Sequence, residues 1–360
     1  MFTASSQRVA PPWWARLSGR QTLFSDQRWI DLFARSRGEP APWWFGAGRG
    51  TEPEIAIRGT VVDAGTRKSM NPYRWLFEQT PYHDRVPFDA AGAPGPQHWF
   101  PALLCAYPGL DAYPVGAADD PELVASLLAG LAGWARAHQV RTVVVGFVQP
   151  EHGTFACAAP LAGYRALPVA VRADLPIGGR TAEQVFASWS TQQRNNLRRL
   201  RGRLDARGVR VAELERPLAD LDTLVELRCA HLGQHGKAPD PAEERAWLEP
   251  LLATFADRVT VFGAHRDSRL RGFSLFVDDD RQWHAFAVAR LDPREDRDVY
   301  FELMFNTPVE RAAARGIGQI CFGYGTGEAK RRRGCAFATV PAWYHTDDPA
   351  VRRWLADQLS

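Results

Sequence analysis

The chain has 360 residues, 45% of them hydrophobic and 24% charged, with a formal net charge of +3; these are proportions of a soluble globular protein of two ordinary domains and exclude a fibrous or disordered chain. No apolar run approaches the roughly 20 residues that a membrane helix needs, and the first residues, MFTASSQRVAPPWW, lack the apolar core of a secretory signal, so the chain reads as cytoplasmic with no membrane span. The basic residues are almost all arginine, with lysine only at Lys68, Lys237 and Lys330, and the five cysteines form no CxxC pair, so neither a zinc knuckle nor a disulfide framework is supported.

Residues 1–50 are rich in Trp, Pro and Gly, with paired tryptophans at Trp13–Trp14 and Trp43–Trp44 that read as packing of an irregular segment, and a short helix around Asp26–Ser36. EIAIRGTVVD (54–63) alternates and predicts a strand. The polar, Gly- and Pro-punctuated stretch 64–98 is a long excursion, and WFPALLCAY (99–107) is a second strand. PELVASLLAGLAGWARAHQ (121–139) is an amphipathic helix opened by Pro121, followed by the apolar strand VRTVVVGFV (140–148) and, after a further helix, a strand leading to Leu175.

A second unit begins near Gly178, giving domains at 1–178 and 179–360. Residues 181–208 predict one long helix, with Thr181 and Gln184 as a capping box and Gly208 as its stop. A strand (VRVAEL), two helices (218–236 and 241–255) and three strands joined by short turns follow. Residues 299–316 predict a helix that ends at Gly316, then come the strand QICFG, the stretch GYGTGEAKRRRGC (323–335) and the strand FATVPAW. Both halves run through antiparallel strands into a strand–helix–strand pattern, a mixed α+β organisation repeated twice.

The alternating glycines at 323, 325 and 327 invite a nucleotide reading, but the residues refuse it. A phosphate-cradling P-loop ends in Gly-Lys-Ser/Thr, whereas Gly327 is followed by Glu328 and Ala329, and Lys330 by Arg331. A dinucleotide fingerprint needs its third glycine where Glu328 stands. What remains is a tight strand-to-helix turn followed by a basic helical turn.

Gly327, Glu328, Lys330, Arg333 and Gly334, with Trp343 and His345 downstream, resemble the C-terminal signature of the Fem-like, peptidoglycan-biosynthesis-like branch of the GNAT superfamily. Ser190, Arg194, Asn196, Arg198 and Arg199 resemble the same family's Ser-x-x-x-Arg-x-Asn-x-Arg-Arg helix. The resemblance covers about 180–350 and, through element order only, the first half. It implies two tandem GNAT-like domains, mostly antiparallel mixed sheets flanked by helices, facing a shared cleft, and acyl or aminoacyl transfer to an amine.

In simple GNAT enzymes the donor's diphosphate lies on a glycine-rich loop after the fourth strand. Here that place is LDPREDRDVY (291–300), which has no glycine and carries Asp292, Glu295, Asp296 and Asp298 against Arg294 and Arg297. A diphosphate would meet bulky side chains and net negative charge, which argues against acyl-CoA and for a donor borne by an acidic carrier protein or a tRNA acceptor end. Arg194, Arg198 and Arg201 recur on one helix face as a landing strip for such phosphates, against the alternative of a solvated charged face. Arg194, Asn195, Arg198, Lys237, Tyr300, Glu328 and His345 are the expected contacts to carrier or substrate, an amine or amino-acid-like small molecule. His284, on one strand face with Phe286 and Val288, or Glu302 is the expected base, Tyr324 or backbone N–H groups the oxyanion donors, and Lys330 completes the catalytic set. His231 and His235, at i and i+4, lack the glutamate of an HExxH zinc site and read as ordinary helix residues. Two other readings stay open: a tailoring enzyme that abstracts a proton or closes a ring on a carrier-bound amino-acid-like substrate without an acyl donor, and a non-catalytic scaffold of degenerate domains.

Overall fold

The computed structural model describes residues 1–6, 9–18, 22–37, 41–109, 112–280, 282–325 and 327–358, without the side chains of 35–37. It divides into two compact units, Met1–Arg172 with Ala338–Ser360, and Ala173–Phe337. In chain order the first stretch carries β1 (Phe2–Ser6), α1 (Pro12–Ser18), α2 (Gln27–Arg37), β2 (Trp43–Ala47), β3 (Ile55–Val62), α3 (Pro72–Phe77), α4 (Pro96–Trp99), β4 (Ala102–Cys105), β5 (Val115–Gly116), α5 (Pro121–Ala137), β6 (Thr142–Val145), α6 (Gly153–Leu161) and β7 (Arg165–Pro176). The unit boundary falls inside β7.

Within the first unit β1, β2, β3 and β4 pair antiparallel in that order, and β4 then pairs parallel with β6. A helical crossover is what a parallel pair requires, and α5 supplies it. Asp120 caps that helix by accepting from the Glu122 and Leu123 amides, and Leu123, Leu127, Leu128 and Leu131 form its buried stripe. The opening fifty residues are more regular than their composition suggests. Trp44 lies in β2, and it meets Trp14 edge-on at 4.7 Å, both fully buried. The tryptophans therefore pack, as read, but on a strand that Trp and Gly content had hidden.

The second unit contains α7 (Ala182–Ala187), α8 (Thr191–Ala206), β8 (Arg210–Glu213), α9 (Leu221–Gln234), α10 (Pro241–Thr254), β9 (Val259–Arg266), β10 (Arg269–Asp279), β11 (Gln282–Arg290), α11 (Arg297–Phe301), α12 (Thr307–Ala314), β12 (Gln319–Tyr324) and α13 (Gly327–Arg331). The chain then runs through β13 (Ala336–Thr346) to α14 (Pro349–Asp357), the last residues belonging to the first unit. β8, β9, β10 and β11 pair antiparallel and β11 pairs parallel with β12. The sheets are mixed but mostly antiparallel, with helices packed against them. Among the described residues no helix is long and apolar enough to cross a membrane.

Two helix expectations are corrected. The helix expected over 181–208 is broken at Ser188–Ser190. The Thr181–Gln184 capping box opens α7, but Ser190 starts a new helix by accepting from the Gln193 amide at 3.2 Å. The Arg194 guanidinium donates back to the carbonyls of Ala187, at 3.1 Å, and Trp189, which the break leaves without helical partners. The helix expected over 299–316 is also interrupted: Glu302–Asn306 form a π-helical segment between α11 and α12. Pro308 has no N–H to give to the preceding turn, so a regular α-ladder cannot run through it. Gly316 stops α12 as expected.

Cys105, Cys321 and Cys335 are buried, Cys157 is exposed and Cys229 half-buried; all are free.

Candidate functional site

The parallel pair β11/β12 is short. Gln282, Trp283 and His284 pair with Gln319, Ile320 and Cys321, and no later pair follows, although β11 continues to Arg290 and β12 to Tyr324. Beyond His284 the two strands part, and backbone groups there need other partners. Some come from α9, which packs on β11: Arg228 donates to the Val288 carbonyl at 3.5 Å, and Gln234 to those of Arg290 and Leu291 at 3.3 and 2.8 Å. His231 shares that helix face, with its Nδ1 buried and without a hydrogen-bond partner among the described residues. Burial, then the neighbouring His235, Arg228, Arg290 and Lys237, push its pKa down to about 4. It is a neutral imidazole at physiological pH. Arg290 lies 5.2 Å over the ring of Tyr300, whose hydroxyl burial pushes above the ordinary phenol value against the pull of Arg290 and Arg333.

The turn after β11 is occupied by its own carboxylates. Asp292 accepts from the amides of Arg294 and Glu295 at 2.7 and 2.8 Å, and these bonds hold it below the usual carboxylate range. Asp296, only 2% exposed, accepts from the Asp292 amide and from Arg271, both at 3.0 Å. Asp298 is bound by Arg203 through two 2.8 Å bonds and by Arg207 at 3.3 Å. The N–H groups that would grip a phosphate there are already spent on Asp292 and Asp296.

A cavity of about 530 Å³ opens beside α11, which lines it with Arg297, Asp298 and Phe301. α8 lines it with Gln193, Asn196 and Arg203, and the stretch after β12 with Glu328, Arg332 and Arg333. Most of these charges are paired: Arg203 on Asp298, and Arg332 on Glu328 at 2.7 Å, a bond that lowers the glutamate's pKa. Arg333 differs. Its Nη1 donates to the Ala329 carbonyl at 2.8 Å, its guanidinium lies 4.4 and 4.5 Å over the rings of Phe301 and Phe305, and no carboxylate among the described residues meets it. A second cavity of about 450 Å³ is lined by Arg201, Glu302, Thr307 and Glu310 among others. Both surround α8.

The arginine-bearing helix and the Glu-x-Lys stretch thus meet at one cavity, though with other side chains than those singled out. Glu328 and Asn196 line it; Arg194 is turned to the α7 carbonyls, Arg198 is exposed and Asn195 half-buried. Lys330 is 4% exposed and donates to the carbonyls of Gly323, Tyr324 and Gly325 at 3.2, 3.0 and 2.8 Å. It ties down a turn whose Gly323 and Gly325, at φ 67° and 66°, adopt the left-handed conformation glycine favours. Glu302, 5% exposed, accepts from Arg201 at 2.8 Å, Asn306 at 2.8 Å and Thr307 at 3.0 Å. His284 is half-buried at the last β11/β12 pair, Tyr324 ends β12, and Lys237 is exposed just beyond α9. His345 lies in the first unit against Tyr164, ring centroids 5.2 Å apart, its pKa lowered by burial. Sequence reasoning passed over Trp189, Arg228 and Arg290; the run of basic residues at 330–333 hinted at the cavity's charge.

Residues 191–331 match the family model described as acetyltransferase (GNAT) domain. FemX is similar in structure over 91% of this chain and 94% of its own, at 12% identity and a TM-score of 0.61. The fold is GNAT-like and resembles that of FemX. L-PGS from Bacillus licheniformis shares this Fem-like fold over 92% of the chain and 94% of its own, at 11% identity and a TM-score of 0.54. So does the C-terminal domain of a putative lysylphosphatidylglycerol synthetase from Agrobacterium fabrum, over 72% and 82%, at 14% identity and 0.50. No curated protein matches the chain by sequence. The GNAT match over residues 191–331 supports a transferase in general terms.

Proposed function

We propose that this protein transfers an acyl or aminoacyl group to an amine where β11 and β12 part, taking the group from a carrier protein or a tRNA acceptor end rather than from free acetyl-CoA. The parting of the strands after His284 carries the reading, because the β11/β12 ladder ends there and the two strands separate beside a half-buried imidazole. The GNAT-type match over residues 191–331 supports the reaction class. The self-occupied turn at 292–296 supports the choice of donor, since a diphosphate would have to displace Asp292 and Asp296 from the amides they hold.

In this reading the amine nitrogen attacks the donor carbonyl. An N–C bond forms and the thioester or ester bond breaks, the amine's proton passing to a neutral imidazole and a proton returning to the leaving sulfur or oxygen. His284 is the base we favour, with Tyr324 and backbone N–H groups at the fork as donors to the oxyanion. Lys237 and Arg198, both exposed, are contacts for a phosphate-bearing carrier. Glu302 and Lys330, whose polar atoms are engaged on all sides, hold the fold of the site rather than exchange protons.

Calorimetry with acetyl-CoA is expected to give no saturable binding below about 1 mM; tight binding would overturn the donor clause. Mass spectrometry of amine acceptors incubated with charged carrier protein or aminoacyl-tRNA should detect an amide product. His284→Ala should slow its formation roughly 100-fold, and an unchanged rate would remove His284 from the role.

A further inference from the structure

We propose that the cavity bounded by Trp189 and Arg333 in the second unit is a binding site for the oxyanion, carboxylate or phosphate, of a small ligand. Arg333 lines this cavity with its guanidinium sandwiched against Phe301 and Phe305. Its Nε is buried and has no acceptor among the described residues, and no carboxylate neutralises it. Burial lowers its pKa to about 10, so it stays cationic at neutral pH. Trp189 lines the same cavity, is 4% exposed, and its indole N–H is likewise buried without an acceptor.

Buried donors in native folds almost always find a partner, and a desolvated cation without a counter-charge is costlier still. Two such donors, one of them cationic, on side chains that line the same cavity are what an anion site looks like before its ligand arrives. The two ring contacts explain how the guanidinium is tolerated without a carboxylate. They also fix its plane, and a planar fork suits bidentate pairing with an oxyanion. Gly334 adjoins the indole edge without filling it: a β-carbon there would stand in contact, 3.7 Å from Trp189 Cδ1 and 3.8 Å from its Nε1. The other cavity offers the control. There Arg201 is matched to Glu302 and Glu310, and nothing asks for an added anion.

Binding needs no turnover, so failure of the transfer assay would leave this site untouched, and the converse holds. The test is titration calorimetry of the full-length protein with inorganic phosphate and, separately, with N-acetylglycine as a carboxylate probe. At least one should saturate with a Kd near or below about 1 mM. Phosphate alone points to a phosphate ester as the natural group, N-acetylglycine alone to a carboxylate, and either supports the site. Arg333→Met, which keeps the stacking volume but removes the charge, should weaken binding roughly 10-fold or more, and Trp189→Phe roughly 3- to 10-fold. Arg269→Gln, on exposed β10 surface, should leave it unchanged. Should Arg333→Met not fold, Arg333→Lys replaces it, keeping charge but losing the fork, with weakening between the other two variants. Saturation by neither probe at about 10 mM, or wild-type affinity in the Arg333 and Trp189 variants, overturns the proposal.

Discussion

Among the described pairings each unit contains a parallel strand pair joined by a helical crossover, and the two pairs have opposite characters. In the first unit β4 and β6 stay together through four residue pairs, Ala102↔Thr142 to Cys105↔Val145, and the Gly146 amide extends the ladder to the Cys105 carbonyl at 2.9 Å. All eight residues are buried, and the crossover α5 is regular, with its leucines in the core. In the second unit β11 and β12 separate after three pairs. Their crossover is interrupted by the π-helical Glu302–Asn306 segment with a carboxylate buried inside it, and cationic side chains gather around the fork. A closed, apolar pair can only add stability. An open pair forfeits some ladder hydrogen bonds and must satisfy its backbone groups from side chains, which is the usual cost of a place where a ligand docks.

The contrast can be broken at three points, taken from the largest expected effect down. Leu103→Ala, in the centre of the closed pair and fully buried, should destabilise the protein by about 3–5 kcal/mol through lost burial and an unfilled cavity. Thermal melting should show a midpoint on the order of 10 °C lower, while the anion affinity of the second unit, measured below that midpoint, stays at the wild-type value. A loss of affinity would mean that the closed pair is part of the site after all. Glu302→Ala removes the acceptor for Arg201, Asn306 and Thr307 and strands a partly buried guanidinium, so about 3 kcal/mol of stability should go. Urea denaturation would register it. A variant that melts like wild type yet has lost transfer would instead return Glu302 to the role of base.

The smallest effect is a pH dependence. His231 titrates at about 4 in the folded state, against an ordinary 6.5. Between those values the unfolded chain binds more protons, so stability must fall as the pH is lowered through that window and be fully present above it. The urea midpoint should therefore drop between about pH 7 and about pH 5, and His231→Gln should flatten the drop. An identical slope in the variant would mean that the fork does not hold this imidazole neutral.

Local chemistry made much of this legible in advance. Pro121, the Thr181–Gln184 box and the glycines at 208 and 316 mark helix ends through the constraints of a single turn, and all four stand where expected. Strands β9, β10 and β11 announce themselves by β-rich residues between short turns. The failures were equally local in cause. A helix pattern running through Ser188–Ser190 says nothing of an arginine four residues on that takes the orphaned carbonyls, and Pro308 does not reveal that a π-turn will absorb it.

Sequence by itself determined the two-fold α+β order, the resemblance to the Fem-like fold, and the absence of glycine in the turn after β11, because element order and residue type follow from short-range pattern. Which of the arginines are neutralised was decided only by tertiary structure. Arg194, Arg201, Arg203 and Arg332 find carbonyls or carboxylates, up to 109 residues away for Arg201 and Glu310, while Arg333 finds two phenyl rings and a single carbonyl. The charge on a guanidinium is fixed by its covalent structure, but whether that charge is left over for a ligand depends on what folding brings beside it.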